Sequence, residues 1–204
     1  MIVGFAAVSV AIIAVPGPSV LFAISRAIVG GRRHALLTVL GNAMGLFVQV
    51  VFVAVGLGVI VTSSDEAYTV LKLAGAAYLV WLGISAIRHR GASVVALTAV
   101  ASERSTTPLR DGFVVGVTNP KSLVFLAALL PQYVDPTAGM VAAQMVLLGA
   151  VFCLIAIVCD GTWALAAARA RTWLSSEPRR LSWASVAGGM VMIGLGLLLA
   201  TSSR

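Results

Sequence analysis

Two charged residues of opposite sign lie deep inside long apolar runs of this sequence. Lys121 is the only charge in the run 112–134, and Asp160 is the only charge in the run 136–168. Such residues can form a structural ion pair with each other. Alternatively, the lysine can bind a substrate carboxylate while the aspartate binds an ammonium or carries a proton. Charges inside apolar segments are costly unless they are paired or hydrated. These two residues are therefore the first candidates for function.

The composition indicates the surroundings of these charges. Of the 204 residues, 60% are hydrophobic and only 10% are charged, and the mean hydropathy is +1.04. A soluble domain has about a quarter of its residues charged. The composition thus excludes a soluble enzyme, a disordered chain, a coiled coil and a disulfide scaffold. A lipid bilayer is the partner that suits such a chain.

Six apolar runs are each long enough to cross a membrane, for which a helix needs about 20 residues. Backbone groups in lipid must be satisfied within the segment, which favours helices over open strands. We predict an all-α membrane protein with six transmembrane helices, and we expect the spans at about 2–25, 37–61, 67–87, 111–133, 139–167 and 183–202.

The basic residues cluster in alternate loops between these spans. Eleven of the 14 lysines and arginines lie in the first, third and fifth loops. They are Arg26, Arg32, Arg33, Arg88, Arg90, Arg104, Arg110, Arg169, Arg171, Arg179 and Arg180. The positive-inside rule places these loops in the cytoplasm and both termini outside. The same pattern explains the net charge of +7, so we expect no nucleic-acid partner. Most tryptophans, Trp163 among them, lie near span ends, as interfacial anchors do.

The chain divides at its third loop into two halves of three spans each. We predict one transmembrane domain over 1–204, with halves at about 1–90 and 110–204 and a cytoplasmic linker over 91–109. Because three is an odd number, the second half must enter the membrane in the opposite sense to the first. This arrangement is an inverted repeat, which is a common plan of secondary transporters.

Helix-breaking residues occupy matching positions in the first span of each half. Pro16, Gly17 and Pro18 interrupt the first span, and Asn119 and Pro120 interrupt the fourth. Pro18 and Pro120 are 102 residues apart, half the chain length. A proline removes one backbone donor, and the carbonyls left without a partner are those of Ile12, Ala14 and Gly116. A single proline would indicate a packed kink, whereas the matched pair favours a binding site at broken helices.

Polar or helix-breaking residues on four spans lie at a similar depth. With a rise of ~1.5 Å per residue, each is roughly 12–15 Å inside the cytoplasmic end of its span. They are Pro18, Asn42, Lys121 and Asp160. Asn42 can hydrogen-bond the broken first span or a neighbouring helix, and the flanking Gly41 and Gly45 favour close helix packing. We predict a substrate site made of Pro16, Gly17, Pro18, Asn42, Asn119, Pro120, Lys121 and Asp160, with Asp160 as the proton-coupling residue. No catalytic residue, metal ligand or cofactor is expected.

Several motifs of this chain occur together in a known family of membrane proteins. They are Pro16, Gly17 and Pro18; Gly41 and Gly45; the segment 73–83; Asn119, Pro120 and Lys121; Pro131, Gln132 and Tyr133; and Asp160. In this combination the chain resembles the lysine exporter/homoserine–threonine resistance family of small amino-acid effluxers. The resemblance implies a multi-pass exporter in the bacterial cytoplasmic membrane that moves amino acids or their derivatives outward with the proton gradient. Gly161, Thr162 and Trp163 depart from the pattern expected after the acidic residue, which leaves the substrate open.

Two other functional classes have weaker support. A divalent-cation exporter of related architecture, the main alternative, needs several oxygen ligands or Cys and His ligands. An intramembrane enzyme needs a nucleophile with a base, or a metal centre. The spans contain one deep aspartate and no deep histidine. We therefore expect a secondary transporter rather than an enzyme, working by alternating access around broken spans one and four. Its partners would be an amino acid and protons, and a homo-oligomer is left open.

Overall fold

The structure is a computed structural model that describes residues 2–14, 17–63, 65–88 and 107–169, with seven helical positions between 186 and 201. Over this part of the chain all regular elements are helical, which confirms the all-α class. The α-helices are α1 (Ile2–Ala14), α2 (Pro18–Ser63), α3 (Asp65–Arg88), α4 (Pro108–Val117), α5 (Pro120–Leu129) and α6 (Val141–Arg169). Two 3-10 turns, Leu130–Tyr133 and Pro136–Ala138, connect α5 to α6.

Two stretches of the described helices, Ser19–Gly56 and Val141–Arg169, are long and apolar enough to cross a membrane. A third is counted if α4 and the segment Pro120–Tyr133, which meet at a bend of 47°, form one broken span. The linker predicted over 91–109 is described only from 107 onward, and the sixth predicted span only at isolated positions. Six spans, the inverted repeat and the side of the termini stay predictions.

The loop between the first two spans is shorter than the sequence predicted. Helical residues continue from 18 to 63 with one non-helical position, Gly31, at φ 74° and ψ −172°. Glycine adopts a positive φ at little steric cost, so one residue suffices for the change of direction. Arginines are good helix formers, and their charge marks the membrane edge rather than the end of a helix. Arg26 consequently lies within helix α2 and is only 9% exposed, not in a loop.

Four glycines bring α2 and α4 into backbone contact. Gly41 and Gly45 of α2 lie against α4, and Gly112 and Gly116 of α4 lie against α2; a Cβ at any of them would overlap backbone atoms of the other helix. The contacts pair Thr38 with Gly112, Asn42 with Gly116, Gly41 with Leu109 and Gly45 with Val117. Residue numbers rise together along both helices, which therefore run parallel. The packing role of Gly41 and Gly45 is confirmed.

Helix α6 packs antiparallel along α2, since Asp160 contacts Asn42 and Gly149 contacts Val50. Two apolar clusters lie along these helices. One contains Leu46, Phe125, Phe152 and Ala156, and the other contains Val20, Val39, Ala164 and Ala167. Asn42 lies between Val39 and Leu46 in α2, and Asp160 lies between Ala156 and Ala164 in α6. The polar layer predicted from the sequence is therefore enclosed by apolar packing on both sides.

Candidate functional site

The first predicted break is present in the structure. Helix α1 ends at Ala14 and α2 begins at Pro18, and Gly17 between them is non-helical. Pro16 and the side chain of Pro18 lie outside the described residues. A Cβ on Gly17 would come within 3.1 Å of the Cδ atom of Lys121 and 3.3 Å of its Nζ atom. The absence of a side chain at Gly17 thus gives the lysine room to enter the break.

The second break is present as well, and a side-chain hydrogen bond joins it to the first. Helix α5 begins at Pro120, and its N-cap Asn119 accepts a 3.0 Å hydrogen bond through Oδ1 from the backbone N–H of Lys121. Asparagine is a preferred N-cap because its side chain satisfies such a donor. The Nδ2 atom of Asn119 donates to the Oγ atom of Ser19 at 2.6 Å. The starts of α2 and α5 therefore meet.

The carbonyls predicted to lose their helix partners all receive a donor. The distances are 2.8 Å from Lys121 Nζ to the Ile12 oxygen, 3.2 Å from Trp163 Nε1 to the Ala14 oxygen, and 3.3 Å from Asn119 N to the Gly116 oxygen. Buried backbone polar groups need such partners because lipid supplies none. Trp163, expected to be an interfacial anchor, instead binds the end of α1. The ammonium of Lys121 lies in the last turn of α1, where the helix dipole favours a cation.

A buried glutamine holds the second break and was not predicted from the sequence. Gln49 is 3% exposed, and its Nε2 atom donates to the carbonyls of Val117 and Asn119 at 3.0 Å each. Gln49 follows Asn42 by seven residues, so the two amides lie on the same face of α2 two turns apart. That spacing is the signal by which the sequence could have identified it.

We expect Gln49→Leu to lower the free energy of unfolding by about 1–3 kcal/mol, because two buried carbonyls would lose their shared donor. Thermal unfolding of the purified protein in detergent measures the change. The matched control is Gln144→Leu, since Gln144 makes its hydrogen bonds at the exposed turn before α6, where water can replace them. Equal melting temperatures for the two variants would contradict the assigned role.

Asp160 and Lys121 line one cavity, on different helices. Asp160 is 3% exposed and accepts a 3.1 Å hydrogen bond from Nδ2 of Asn42. The cavity has a volume of about 30 Å³, which is enough for water. Its polar lining consists of Ser19, Asn42, Asn119, Lys121, Ser122 and Asp160, and Gly17 also borders it. Asn42 thus hydrogen-bonds a neighbouring helix rather than the broken first span.

Most of the predicted site residues that the structure describes border this cavity, and Pro120 does not. Pro120 is exposed and forms the first residue of α5, a position that tolerates proline because its N–H would have no helix partner. Its expected contact with substrate is therefore not supported by its place in the fold. Ser19, Ser122 and the apolar wall were not predicted, because short hydroxyl and apolar side chains in a span carry no distinctive pattern.

The electrostatics of the cavity suit a ligand with both charges. The N-termini of α2 and α5 carry partial positive charge and point to the junction of Ser19 and Asn119, close to the ammonium of Lys121. Asp160 supplies the negative charge. Within the described residues, the Oδ1 atom of Asn42 is buried without a hydrogen-bond partner, so it is available to accept from a ligand. No group of three or more potential metal ligands occurs among the described His, Cys, Asp and Glu residues.

An ion pair joins α2 to α4 near the predicted cytoplasmic side. The guanidinium of Arg26 donates to Oδ2 of Asp111 at 3.2 Å and lies 4.9 Å from the centre of the Phe22 ring. The side chains are 11% and 28% exposed, respectively. Both residues were expected at the cytoplasmic ends of their spans. Their pairing depends on how α2 and α4 pack, so it could not be predicted from the sequence.

Comparison with known proteins identifies the family of this chain. A family model described as LysE type translocator matches residues 10–203. The chain belongs to this family. The match covers both helix breaks and every described residue that lines the cavity. This LysE-type translocator is thus a protein of the bacterial cytoplasmic membrane, from a family of transporters.

Several relatives align over nearly the whole chain. An uncharacterized membrane protein of Vibrio cholerae is 38% identical over 187 residues, covering 92% of this chain and 90% of its own length. A homoserine/homoserine lactone efflux protein of Salmonella typhimurium is 35% identical, with 92% and 89% covered. A leucine efflux protein of an Enterobacter species is 24% identical, with 93% and 90% covered. No solved structure matches the chain significantly.

Proposed function

We propose that this LysE-type translocator exports small amino acids or their derivatives across the cytoplasmic membrane. The observation that carries the proposal is the cavity at the meeting point of two helix breaks, which both Lys121 and Asp160 line. The family and the efflux relatives support the same reading. In this scheme the carboxylate of the substrate binds Lys121 and the start of α5, and its ammonium binds Asp160 and the free oxygen of Asn42.

The proposed driving force is the proton gradient, with Asp160 as the proton carrier. Among the described lining residues, Asp160 is the one acidic side chain. A carboxylate that alternately binds a proton and a substrate ammonium couples the two, because both compete for the same negative charge. The alternative, a divalent-cation exporter, is not favoured: one carboxylate is too few for a hard cation that takes six or more oxygens.

The proposed transport cycle is alternating access by two inverted halves of three spans, with both termini outside. The breaks at Pro18 and Pro120 are where one half would rock against the other. Arg26 belongs to the first half and Asp111 to the second, so this ion pair would separate when the cytoplasmic side opens. The pairing of Asn119 with Ser19 likewise joins the two halves.

Counterflow in proteoliposomes tests the proposal. Vesicles that contain the protein and are loaded with an unlabelled amino acid should accumulate the same amino acid in labelled form. Vesicles loaded in the same way but without the protein should not. Lys121→Gln should raise the half-saturating concentration by at least about tenfold, since the substrate carboxylate loses its counter-ion. Lys72→Gln, at the chain's other lysine, is the matched control. An absence of counterflow across a panel of amino acids would refute the proposal.

A further inference from the structure

Three helices each place an apolar cavity residue one turn away from a polar one. The pairs are Asn42 and Leu46 in α2, Lys121 and Phe125 in α5, and Asp160 and Ala156 in α6, and all six residues line the cavity. In α2 and α5 the apolar residue follows the polar one, whereas in α6 it precedes it. Helix α6 runs antiparallel to α2, whereas α5 continues α4, which is parallel to α2, across a bend of 47°. The apolar residues of all three helices are therefore displaced toward the same end. The cavity therefore has a polar end and an apolar end.

Ala156 is the smallest residue at the apolar end. Leu46 and Phe125 present large side chains, whereas Ala156 offers one methyl group and is 2% exposed. One turn before Ala156 in α6, Phe152 stacks on Phe125 with ring centres 5.2 Å apart and an interplanar angle of 26°. The stacked rings limit the space beside Ala156 on the side away from Asp160. A longer side chain at position 156 would fill that space.

We propose that Ala156 and the stacked rings of Phe125 and Phe152 form the subsite for the side chain of the substrate, and that Ala156 sets its size limit. The inference rests on the proposed function, because a zwitterion held at Lys121 and Asp160 must direct its side chain away from these charges. Both charged residues of the described lining are then occupied by the α-carboxylate and the α-ammonium. A charged side chain would lie in the apolar end without a counter-ion, which is unfavourable. The substrate class is thus an α-amino acid with a small, uncharged side chain.

Counterflow with paired substrates tests the subsite, with alanine, leucine and lysine as labelled probes. Ala156→Leu should lower the ratio of leucine to alanine counterflow by at least about tenfold, the effect of a few methylene groups in a hydrophobic pocket. Ala156→Gly should raise the same ratio, and it removes rather than adds atoms in the core. The matched control is Ala166→Leu, an exposed alanine on the same helix, which should leave the ratio unchanged.

The outcomes separate the subsite from the proposed function. If the unmodified protein exchanges alanine or leucine but neither Ala156 variant changes their ratio, the subsite is wrong and the proposed function stands. Lysine counterflow at the rate of alanine would overturn the uncharged substrate class. If the unmodified protein exchanges none of the wider amino-acid panel, the proposed function itself fails. Should Ala156→Leu not yield a monodisperse protein, the ratio measured with Ala156→Gly decides.

Discussion

Asp160→Asn should abolish gradient-driven export while leaving the protein folded. The asparagine side chain has the same shape, and its oxygen can still accept the hydrogen bond that Asn42 donates to Asp160 at 3.1 Å. It cannot bind and release a proton in the physiological range, so transport and proton movement become uncoupled. Proteoliposomes with an imposed pH gradient provide the measurement: accumulation of labelled amino acid should fall to the level of vesicles that contain no protein.

Asp135→Asn is the matched control for this experiment. Asp135 lies in the exposed turn before α6, where hydrogen bonds from the hydroxyl and backbone N–H of Thr137 hold the pKa of its carboxyl below the ordinary value. Asp135 does not line the cavity, so its replacement should leave gradient-driven export unchanged. Full gradient-driven export by Asp160→Asn would remove Asp160 from the coupling mechanism.

Gly41→Ala should destabilise the protein strongly, because α2 and α4 would have to separate. The added Cβ would overlap the carbonyl oxygen of Leu109 and crowd the backbone nitrogen of Phe113. These are backbone atoms, which cannot move aside as a flexible side chain can. We expect a loss of about 1–3 kcal/mol or more in the free energy of unfolding, the usual effect of overpacking. The melting temperature in detergent measures it, and Gly116→Ala should behave in the same way.

Gly56→Ala separates overpacking from the general effect of replacing a glycine. Gly56 lies in the same helix, and a Cβ there would meet no atom within 4 Å. The substitution should be neutral or slightly stabilising, since alanine favours the helix more than glycine does. If Gly41→Ala and Gly56→Ala melt at the same temperature, the backbone contact between α2 and α4 does not contribute to stability as we infer.

Much of the candidate site could be predicted from the sequence because its signals are local. A proline removes a backbone donor wherever it occurs, so the interruptions before Pro18 and Pro120 and the carbonyls they affect follow from position alone. The deep placement of Lys121 and Asp160 follows from the lengths of the surrounding apolar runs. The boundary between the first two spans lies within the predicted loop, at Gly31, but the length of that loop was predicted wrongly, since this one glycine replaces it.

The amino-acid sequence by itself determined that the protein is a helical membrane protein with broken helices and two buried charges, because hydropathy and backbone chemistry act along the chain. Only the tertiary structure decided which groups meet across helices. Gln49 and Trp163 bind the carbonyls at the breaks, Asn42 binds Asp160, and Arg26 pairs with Asp111. These contacts depend on which helices are neighbours and on their register. Four glycines fix that register between α2 and α4 by close approach, which composition and spacing alone do not reveal.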